Sequence, residues 1–199
     1  MTPEFLEALL EGDRERASKA LDVELPDGFP REGGMRFFAL RLRQMQQDER
    51  FREWCPHAVV LDGQMIGHAG YHGPPGVNAN QSPDAVEIGY TIEEPWRGHG
   101  YATEAATELL RRAEERGVRH YVASATPDNE PSLAIIRKLG FRQTRVEPGA
   151  QTIGGRPVDL IHFLLEAKDW PKLRERFVPL ARLAERQIGE WEQAQLAAR

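Results

Sequence analysis

One segment constrains the fold more than any other, because a strand, a glycine-rich turn and a helix follow one another in it. Apolar residues alternate with small or polar ones from Val86 to Ile92, which is the period of a β-strand. The turn RGHGYA at residues 97–102 is followed at once by helix-forming residues. The first amides of a helix lack internal partners and carry its positive end. Because Gly98 and Gly100 would let an anion approach the main chain, the segment predicts a phosphate-binding turn.

Two common phosphate-binding motifs do not fit this turn. A P-loop requires Gly-Lys-Ser/Thr after the loop, and those residues do not follow here. The dinucleotide fingerprint requires a third glycine where this sequence has Thr103. It also requires an acidic residue at the end of the next strand, whereas Glu114 and Glu115 fall inside the predicted helix. An ordinary turn is the alternative when the segment is considered alone.

Composition and charge narrow the class of protein. The chain has 199 residues, of which 40% are hydrophobic and 29% charged, and its net charge is −5. These values favour one globular domain with an appendage and argue against nucleic-acid binding. No apolar run approaches the length of a membrane span, and the acidic N-terminus does not resemble a signal peptide. We therefore expect a cytoplasmic protein without membrane contact.

The sequence contains few residues suited to metal binding or thiol chemistry. Cys55 is the only cysteine, so no disulfide can form within the chain, and we expect a buried, unreactive thiol. No cluster of His, Cys, Asp and Glu has the spacing of metal ligands, so no metal is expected.

A second segment, downstream of the turn, identifies a family. Residues 129–141 read NEPSLAIIRKLGF. Together with EIGY at residues 87–90 and RGHGYATEA at residues 97–105, this ordered set resembles the GNAT superfamily of N-acetyltransferases. It is most similar to the bacterial branch that includes the ribosomal-protein acetyltransferases. The resemblance covers roughly residues 59–165.

The resemblance implies an α/β (α+β) architecture, the GNAT fold. Its mixed central sheet has splayed central strands and is flanked by helices. GNAT domains usually begin with a strand, but this chain begins with a predicted helix at residues 2–22 that breaks near Gly12. We therefore expect the first strand to be missing or vestigial, which would leave a sheet edge to be covered.

Further helices and strands follow from the periodicity of apolar residues and from turn residues. A helix at residues 35–47 would have one apolar face, formed by Met35, Phe38, Leu42 and Met45. In the family, helices here line the acceptor pocket; simple covering of the core is the alternative. The other predicted elements are a hairpin (57–61 and 65–72), a strand (118–125), a helix (131–139) and a closing hairpin (141–146 and 157–165). The loop at residues 73–83 is either part of the acceptor site or an ordinary connection.

The domain organisation predicted is one acyl-CoA-binding domain followed by a helical extension. The domain spans residues 1–168, with N-terminal helices at 2–47 and the core at 57–166. In the extension, residues 169–199, apolar side chains recur with helical spacing at Leu173, Phe177, Leu180, Ala184, Ile188 and Trp191. Such a stripe must pack either on its own domain or on a second copy of the chain, which would give a homodimer.

The resemblance also implies which residues bind acetyl-CoA, the expected co-substrate. The pantetheine arm would lie along the central strand, at a place where Gly89 would permit a bulge. A backbone amide near Thr91 would stabilise the oxyanion of the tetrahedral intermediate. The residues expected to contact the cofactor are Tyr90, Thr91, Ile92, Arg97, Gly98, His99, Gly100, Tyr101, Ala102, Thr103 and Asn129.

Four side chains are candidates for catalysis. Glu87 lies just before the proposed bulge and is the first candidate for the base that deprotonates the amine; a merely structural carboxylate is the alternative. His72 and His68, on the neighbouring strand, are the rival bases. Many relatives protonate the leaving thiolate with a tyrosine at the position that Ile136 occupies here. Ser132 matches the acid proposed for the ribosomal branch, although it could instead cap its helix.

The sequence therefore predicts an N-acetyltransferase that transfers an acetyl group from acetyl-CoA to a primary amine by direct attack in a ternary complex. The acceptor would be a small molecule or a protein N-terminus. A GNAT-shaped module that senses acyl-CoA without turnover is the main alternative. A nucleotide-binding regulator built on the same turn is a weaker one.

Overall fold

The computed structural model describes residues 1–31 and 33–170, which form six α-helices, one short 3-10 helix (Glu94–Trp96) and six strands. The helices are α1 (Pro3–Glu11), α2 (Arg14–Leu21), α3 (Gly34–Gln47), α4 (Arg50–Glu53), α5 (Tyr101–Glu115) and α6 (Glu130–Lys138). The strands are β1 (Pro56–Leu61), β2 (Gln64–Tyr71), β3 (Ala85–Ile92), β4 (His120–Ala125), β5 (Arg142–Ile153) and β6 (Arg156–Glu166). They form one sheet in the order β1-β2-β3-β4-β6-β5. The pairing is antiparallel except between β3 and β4, so the predicted mixed sheet is confirmed.

The two central strands separate halfway along their length. β3 pairs with β4 only through Ala85–Glu87, opposite His120–Val122. Beyond that point β3 stays paired with β2 and β4 stays paired with β6. The sheet therefore opens into a gap between the second half of β3 and the end of β4, as the family resemblance implied.

Hydrophobic side chains cover both faces of the sheet. On one face, α5 and α6 pack their apolar residues against the central strands; Leu110, Leu133 and Ile136 are among the buried ones. On the other, α1, α2 and α3 form a second cluster over β1 and β2, with Phe5, Phe38 and Met65 almost completely buried. The gap thus lies between two packed layers, each fixed by its own core.

The N-terminal segment is helical from its start. Thr2 caps α1 by accepting a hydrogen bond from the Phe5 amide, and Gly12 ends the helix with a positive φ, so the predicted break is confirmed. Between α2 and α3 the chain touches the sheet at a single bridge, where Glu24 lies beside Gln64. The usual first strand is reduced to that bridge, as expected.

Two predicted details differ in the structure. Met35 belongs to α3 but is 38% exposed, because the buried face of that helix turns toward Phe38 and Met45. The closing hairpin is longer than predicted: β5 runs on to Ile153 and turns at Gly154-Gly155. Every residue of β5 is exposed, so no apolar alternation marked its second half in the sequence.

Trp170 is the last described residue. Its side chain is fully buried in the same hydrophobic cluster as the apolar residues of α5. The predicted amphipathic stripe, Leu173 to Trp191, lies outside the described residues. Among the helices that the structure describes, none combines the length and apolar character needed to cross a bilayer.

Candidate active site

Backbone groups of β3 face the gap at alternate residues. Glu87 accepts a hydrogen bond from the His72 amide, and the Glu93 amide donates to Ile66, so odd-numbered residues here pair with β2. The amides of Ile88, Tyr90 and Ile92 therefore point toward the gap. The oxyanion donor was predicted to be a backbone amide near Thr91; the amide of Thr91 itself faces β2, because Thr91 lies opposite His68. The amides of Tyr90 and Ile92 are the donors available instead.

The predicted phosphate-binding turn has the geometry that its sequence suggested. Gly98 and Gly100 have φ values of 80° and 92°, and a Cβ on either would meet no atom within 4 Å. The amides of residues 98–102 donate no hydrogen bond to any described residue, whereas those of Thr103 and Glu104 both bond to the Gly100 carbonyl. Five outward-facing amides at the positive end of α5 form a cradle for an anion.

The side chains of the turn occupy its rim. The Arg97 guanidinium donates from Nε to the Ile92 carbonyl at 2.9 Å, which ties the turn to the end of β3. His99 stacks on Tyr101 with ring centroids 5.8 Å apart, and both are at least partly exposed. Thr103 is buried instead, and its carbonyl accepts from the Thr107 hydroxyl. A ligand at the turn would therefore be bound mainly by main-chain amides rather than by these side chains.

A pair of hydroxyls bridges from β3 to the start of α6. The Tyr90 hydroxyl lies 3.2 Å from Ser132 Oγ and 3.4 Å from the Ser132 carbonyl. Asn129, not Ser132, caps α6, because its Oδ1 accepts from the Ser132 amide. Ile136 is 2% exposed and points into the core. The alternative in which Ser132 caps the helix therefore fails, and its hydroxyl belongs to the gap.

A cleft of about 400 Å³ lies on the side of the sheet toward α3. It is bounded by β2, by β3 and by the segment that leads into α3; the aromatic residues among its lining are Phe29, Phe37, His68, Tyr71, His72 and Tyr90. Its volume suits a small molecule or a short chain terminus. Of the described residues that line it, none comes from the loop at residues 73–83.

His72 and Glu87 face each other across β2 and β3. His72 Nδ1 lies 3.3 Å from Glu87 Oε2, and the histidine side chain is 41% exposed whereas that of Glu87 is 3% exposed. A Cβ on Gly89 would lie 3.1 Å from His72 Nε2, so this nitrogen is directed over Gly89 toward the cleft. In this arrangement the Glu87 carboxylate orients the ring through Nδ1, and Nε2 remains available to a ligand.

Glu87 is enclosed on every side. Its Oε1 accepts from the Ser124 hydroxyl at 2.6 Å and its Oε2 accepts from the Ala79 amide at 2.7 Å, so the loop at residues 73–83 covers it. Burial raises the pKa of Glu87, but the hydrogen bond and charge of His72, with the bonds from Ser124 and Ala79, outweigh burial and bring the pKa to about 2. A carboxylate that holds its proton so weakly and is almost completely buried is a poor base.

The bulge predicted at Gly89 is absent, since β2 and β3 keep one register from Tyr71–Ile88 to Gly67–Ile92. The glycine has another role: a side chain there would press on the His72 ring. The other rival, His68, packs among aromatic rings with centroids 5.3–6.5 Å away, and burial lowers its pKa to about 4. His68 thus belongs to the wall of the cleft.

Two arginines near the cleft had not been singled out from the sequence. Arg41 of α3 is buried; its guanidinium bonds to the His72 carbonyl and lies 4.9 Å from the Phe37 ring. Burial lowers the pKa of Arg41, and the charge of Glu87 works against that shift. Arg31 donates to Glu93 at 2.7 Å across 62 residues of sequence. Nothing in the local sequence marks such distant partners.

The family can be stated from a comparison with known proteins. Residues 2–142 match the model for the acetyltransferase (GNAT) domain. This match covers well over half of the chain, so the chain belongs to the GNAT acetyltransferase family.

Individual relatives are distant. A Bacillus subtilis protein with the provisional name ribosomal N-acetyltransferase YdaF is 27% identical over 113 residues, which cover 56% of this chain and 59% of that protein. The L-methionine sulfoximine/L-methionine sulfone acetyltransferase of Pseudomonas aeruginosa is 28% identical over 120 residues, or 59% of this chain and 69% of that protein. The ribosomal-protein-alanine N-acetyltransferase of Brucella melitensis has the same fold, with a TM-score of 0.58, 21% identity and coverage of 83% of this chain and 96% of that chain.

Proposed function

We propose that this protein transfers an acetyl group from acetyl-CoA to a primary amine by direct attack in a ternary complex. The observation that supports the proposal most strongly is the position of His72. Its Nε2 points over Gly89 into the cleft, while Nδ1 contacts the buried Glu87. A histidine held in this way can accept the proton of an attacking amine at Nε2.

Glu87, predicted as the base, is assigned a different role in this proposal. Its carboxylate accepts the Nδ1 proton of His72 and so leaves the Nε2 lone pair free for the substrate. The same division of roles is known for carboxylate–histidine pairs in other enzyme classes. Arg41 helps to position the pair, because its guanidinium donates a hydrogen bond to the His72 main-chain carbonyl.

The turn at residues 98–102 and the gap beside β3 fit acetyl-CoA. The free amides of residues 98–102 suit a pyrophosphate, and glycine at 98 and 100 keeps the approach open. The unpaired amides of Tyr90 and Ile92 suit the carbonyl groups of a pantetheine arm lying in the gap, and one of them would stabilise the oxyanion. When bound there, acetyl-CoA supplies the activated acetyl group, and the chain supplies orientation and a base.

The acceptor enters from the side of α3 in this proposal. The cleft there combines aromatic walls with one basic and one acidic group, Arg31 and Glu93, at its outer part. Its size excludes a folded protein surface but admits an amino acid, a small amine or the first residues of a peptide.

The test is amine-dependent release of CoA thiol from acetyl-CoA, with wild-type protein and His72→Asn. We expect kcat to fall by about 10²–10⁴-fold in H72N, while the Kd for acetyl-CoA stays unchanged. His120→Asn is the matched control, because His120 also bonds to a carboxylate, Asp84 at 2.9 Å, but lies outside the cleft. Full activity of H72N would exclude His72 as the base. Tight binding of acetyl-CoA without release for any amine would instead indicate the sensor module.

A further inference from the structure

The outer end of the cleft contains a buried carboxylate with one unused oxygen. Glu93 follows β3 and lines the cleft, yet its side chain is only 8% exposed. Its Oε2 accepts a hydrogen bond from Arg31 Nε at 2.7 Å, whereas its Oε1 accepts none from any described residue. Oε1 is not enclosed by protein, so a ligand in the cleft can reach it. A carboxylate oxygen in such a place favours a hydrogen-bond donor, above all a cationic one.

The charges around Glu93 leave this end of the cleft negative. Arg31 also pairs with Glu94 at 3.2 Å, so two carboxylates share one guanidinium. Among the described residues, no second cation pairs with either carboxylate. Burial lowers the pKa of His68 to about 4, so its ring is uncharged at neutral pH and does not repel a cation. The outer end therefore attracts a positively charged ligand.

Strand β3 sets the distance between this end and the proposed base. Side chains alternate along a strand, and Gly89, Thr91 and Glu93 all line the cleft. The Glu93 amide still bonds to the Ile66 carbonyl of β2, so the extended geometry continues to this residue. His72 Nε2 lies over Gly89, and a rise of about 3.3 Å per residue places Glu93 about 13 Å further along. A ligand bound at both ends by hydrogen bonds of about 3 Å would have its two polar groups about 7–10 Å apart.

The wall between the two ends is aromatic. Phe29 and Phe37 line the cleft and pack against His68, with ring centroids 6.5 and 5.4 Å from it. Such a wall suits a chain of methylene groups, and aromatic faces also tolerate a cation. A carboxylate on the acceptor is less well served, because Nε and Nη1 of Arg31 already donate to Glu93 and Glu94.

We propose that the acceptor is a diamine, with one amine at His72 Nε2 and the other, as an ammonium, bound by Glu93 Oε1. This inference rests on the proposed function and names the class of its acceptor. Arg31 orients the Glu93 carboxylate through Oε2 and leaves Oε1 to the substrate. The methylene groups between the two nitrogens lie along Phe29 and Phe37.

The first test compares acetylation of diamines, from diaminopropane to diaminooctane, with that of the monoamine of equal length. We expect the best diamine to exceed its monoamine in kcat/KM by about 10–100-fold, mainly through a lower KM, because it gains one hydrogen bond between charged groups. Diaminopropane should show little advantage, since its nitrogens are too close together to reach both ends. Equal values for every pair, or a preference for amino acids that lack a second amine, would overturn the inference and leave the proposed function standing.

Substitution of Glu93 provides the second test. Glu93→Gln keeps the shape of the side chain but removes its charge, so KM for the best diamine should rise by about 10–100-fold. Glu94→Gln is the matched control, because Glu94 also pairs with Arg31 but is 71% exposed and does not line the cleft. Glu93→Asp, which retains the charge on a shorter side chain, should keep the preference for diamines and move it to longer ones. An unchanged KM in both Glu93 variants would contradict the proposal.

Calorimetric titration of the best diamine into the complex with CoA tests binding without turnover. We expect the Kd to be at least about tenfold higher for E93Q than for wild type and E94Q. Equal Kd values in all three proteins would refute the ammonium site. Binding that depends on Glu93 in a protein that acetylates no amine would support the site and refute the proposed function.

Discussion

Replacing Glu87 by glutamine removes one negative charge from the most enclosed part of the site while keeping the shape of the side chain. The glutamine carbonyl can still accept from either the Ala79 amide or the Ser124 hydroxyl. What it cannot do is supply the negative charge that faces His72 Nδ1. The variant therefore isolates the charge of Glu87 from its packing.

The pKa of Glu87 sets the size of the effect. It falls from an ordinary 4.5 to about 2 in the folded protein, which corresponds to about 3 kcal/mol of folding free energy at pH 7. Because the folded pKa lies below the unfolded one, this contribution is complete above the unfolded value. It is lost as the pH drops toward the folded value, and about half remains near pH 3. We expect E87Q to be less stable than wild type by about 2–3 kcal/mol at pH 7 and by about half as much at pH 3.

Urea denaturation of both proteins at the two pH values measures this difference. A stability loss that is the same at both values would refute the view that the carboxylate is ionised and paired. The same variant should lower kcat by about 10²-fold or more without changing the Kd for acetyl-CoA, because it loses the group that orients His72. Glu108→Gln is the control, because Glu108 is buried and paired with Arg111 and Arg112 on α5. The E108Q protein should be less stable than wild type but equally active.

Three other substitutions test separate parts of the structure. Gly89→Ala should lower kcat by about tenfold with little loss of stability, because its Cβ would lie 3.1 Å from His72 Nε2; unchanged kcat would show that the ring has room to move. Gly100→Ala and Gly12→Ala both place a side chain at positive φ, so each should lower the free energy of unfolding by about 1 kcal/mol, measured by thermal or urea denaturation. Calorimetry should show weaker CoA binding for G100A and unchanged binding for G12A. Tyr121→Phe should raise stability by about 1 kcal/mol, because the hydroxyl is buried without a partner in the described chain; a loss of stability would indicate a bound water there.

The order of the elements could be predicted because it depends on local signals, whereas the gap was implied only by the family resemblance. Strand period in Val86–Ile92 and the glycines of the turn each act within a few residues of sequence. The same is true of the helix break at Gly12. The end of β5 could not be predicted, because a fully exposed strand carries no apolar alternation.

The partners within the site could not be predicted in the same way. Whether His72 faces Glu87 depends on the register of two strands joined by a long loop. Glu87 was predicted as the base, with a structural carboxylate as the alternative, and only the folded loop shows that Ala79 covers it. Contacts such as Tyr90–Ser132 and Arg31–Glu93 join residues separated by 42 and 62 positions. Sequence reasoning supplied the candidates, and tertiary packing decided how they pair.

The alternation of β3 places different side chains on the two faces of one strand. The side chains of Glu87 and Gly89 face the cleft and His72, whereas Tyr90 reaches the opposite layer and contacts α6. In the proposed function, the strand thereby separates the base, His72, from the layer of α6, with the thioester carbon expected at the edge between them. Because successive side chains point to opposite faces, a register slip of one residue would exchange the two sets. The single unbroken register with β2 is therefore a condition for the chemistry as well as for the fold.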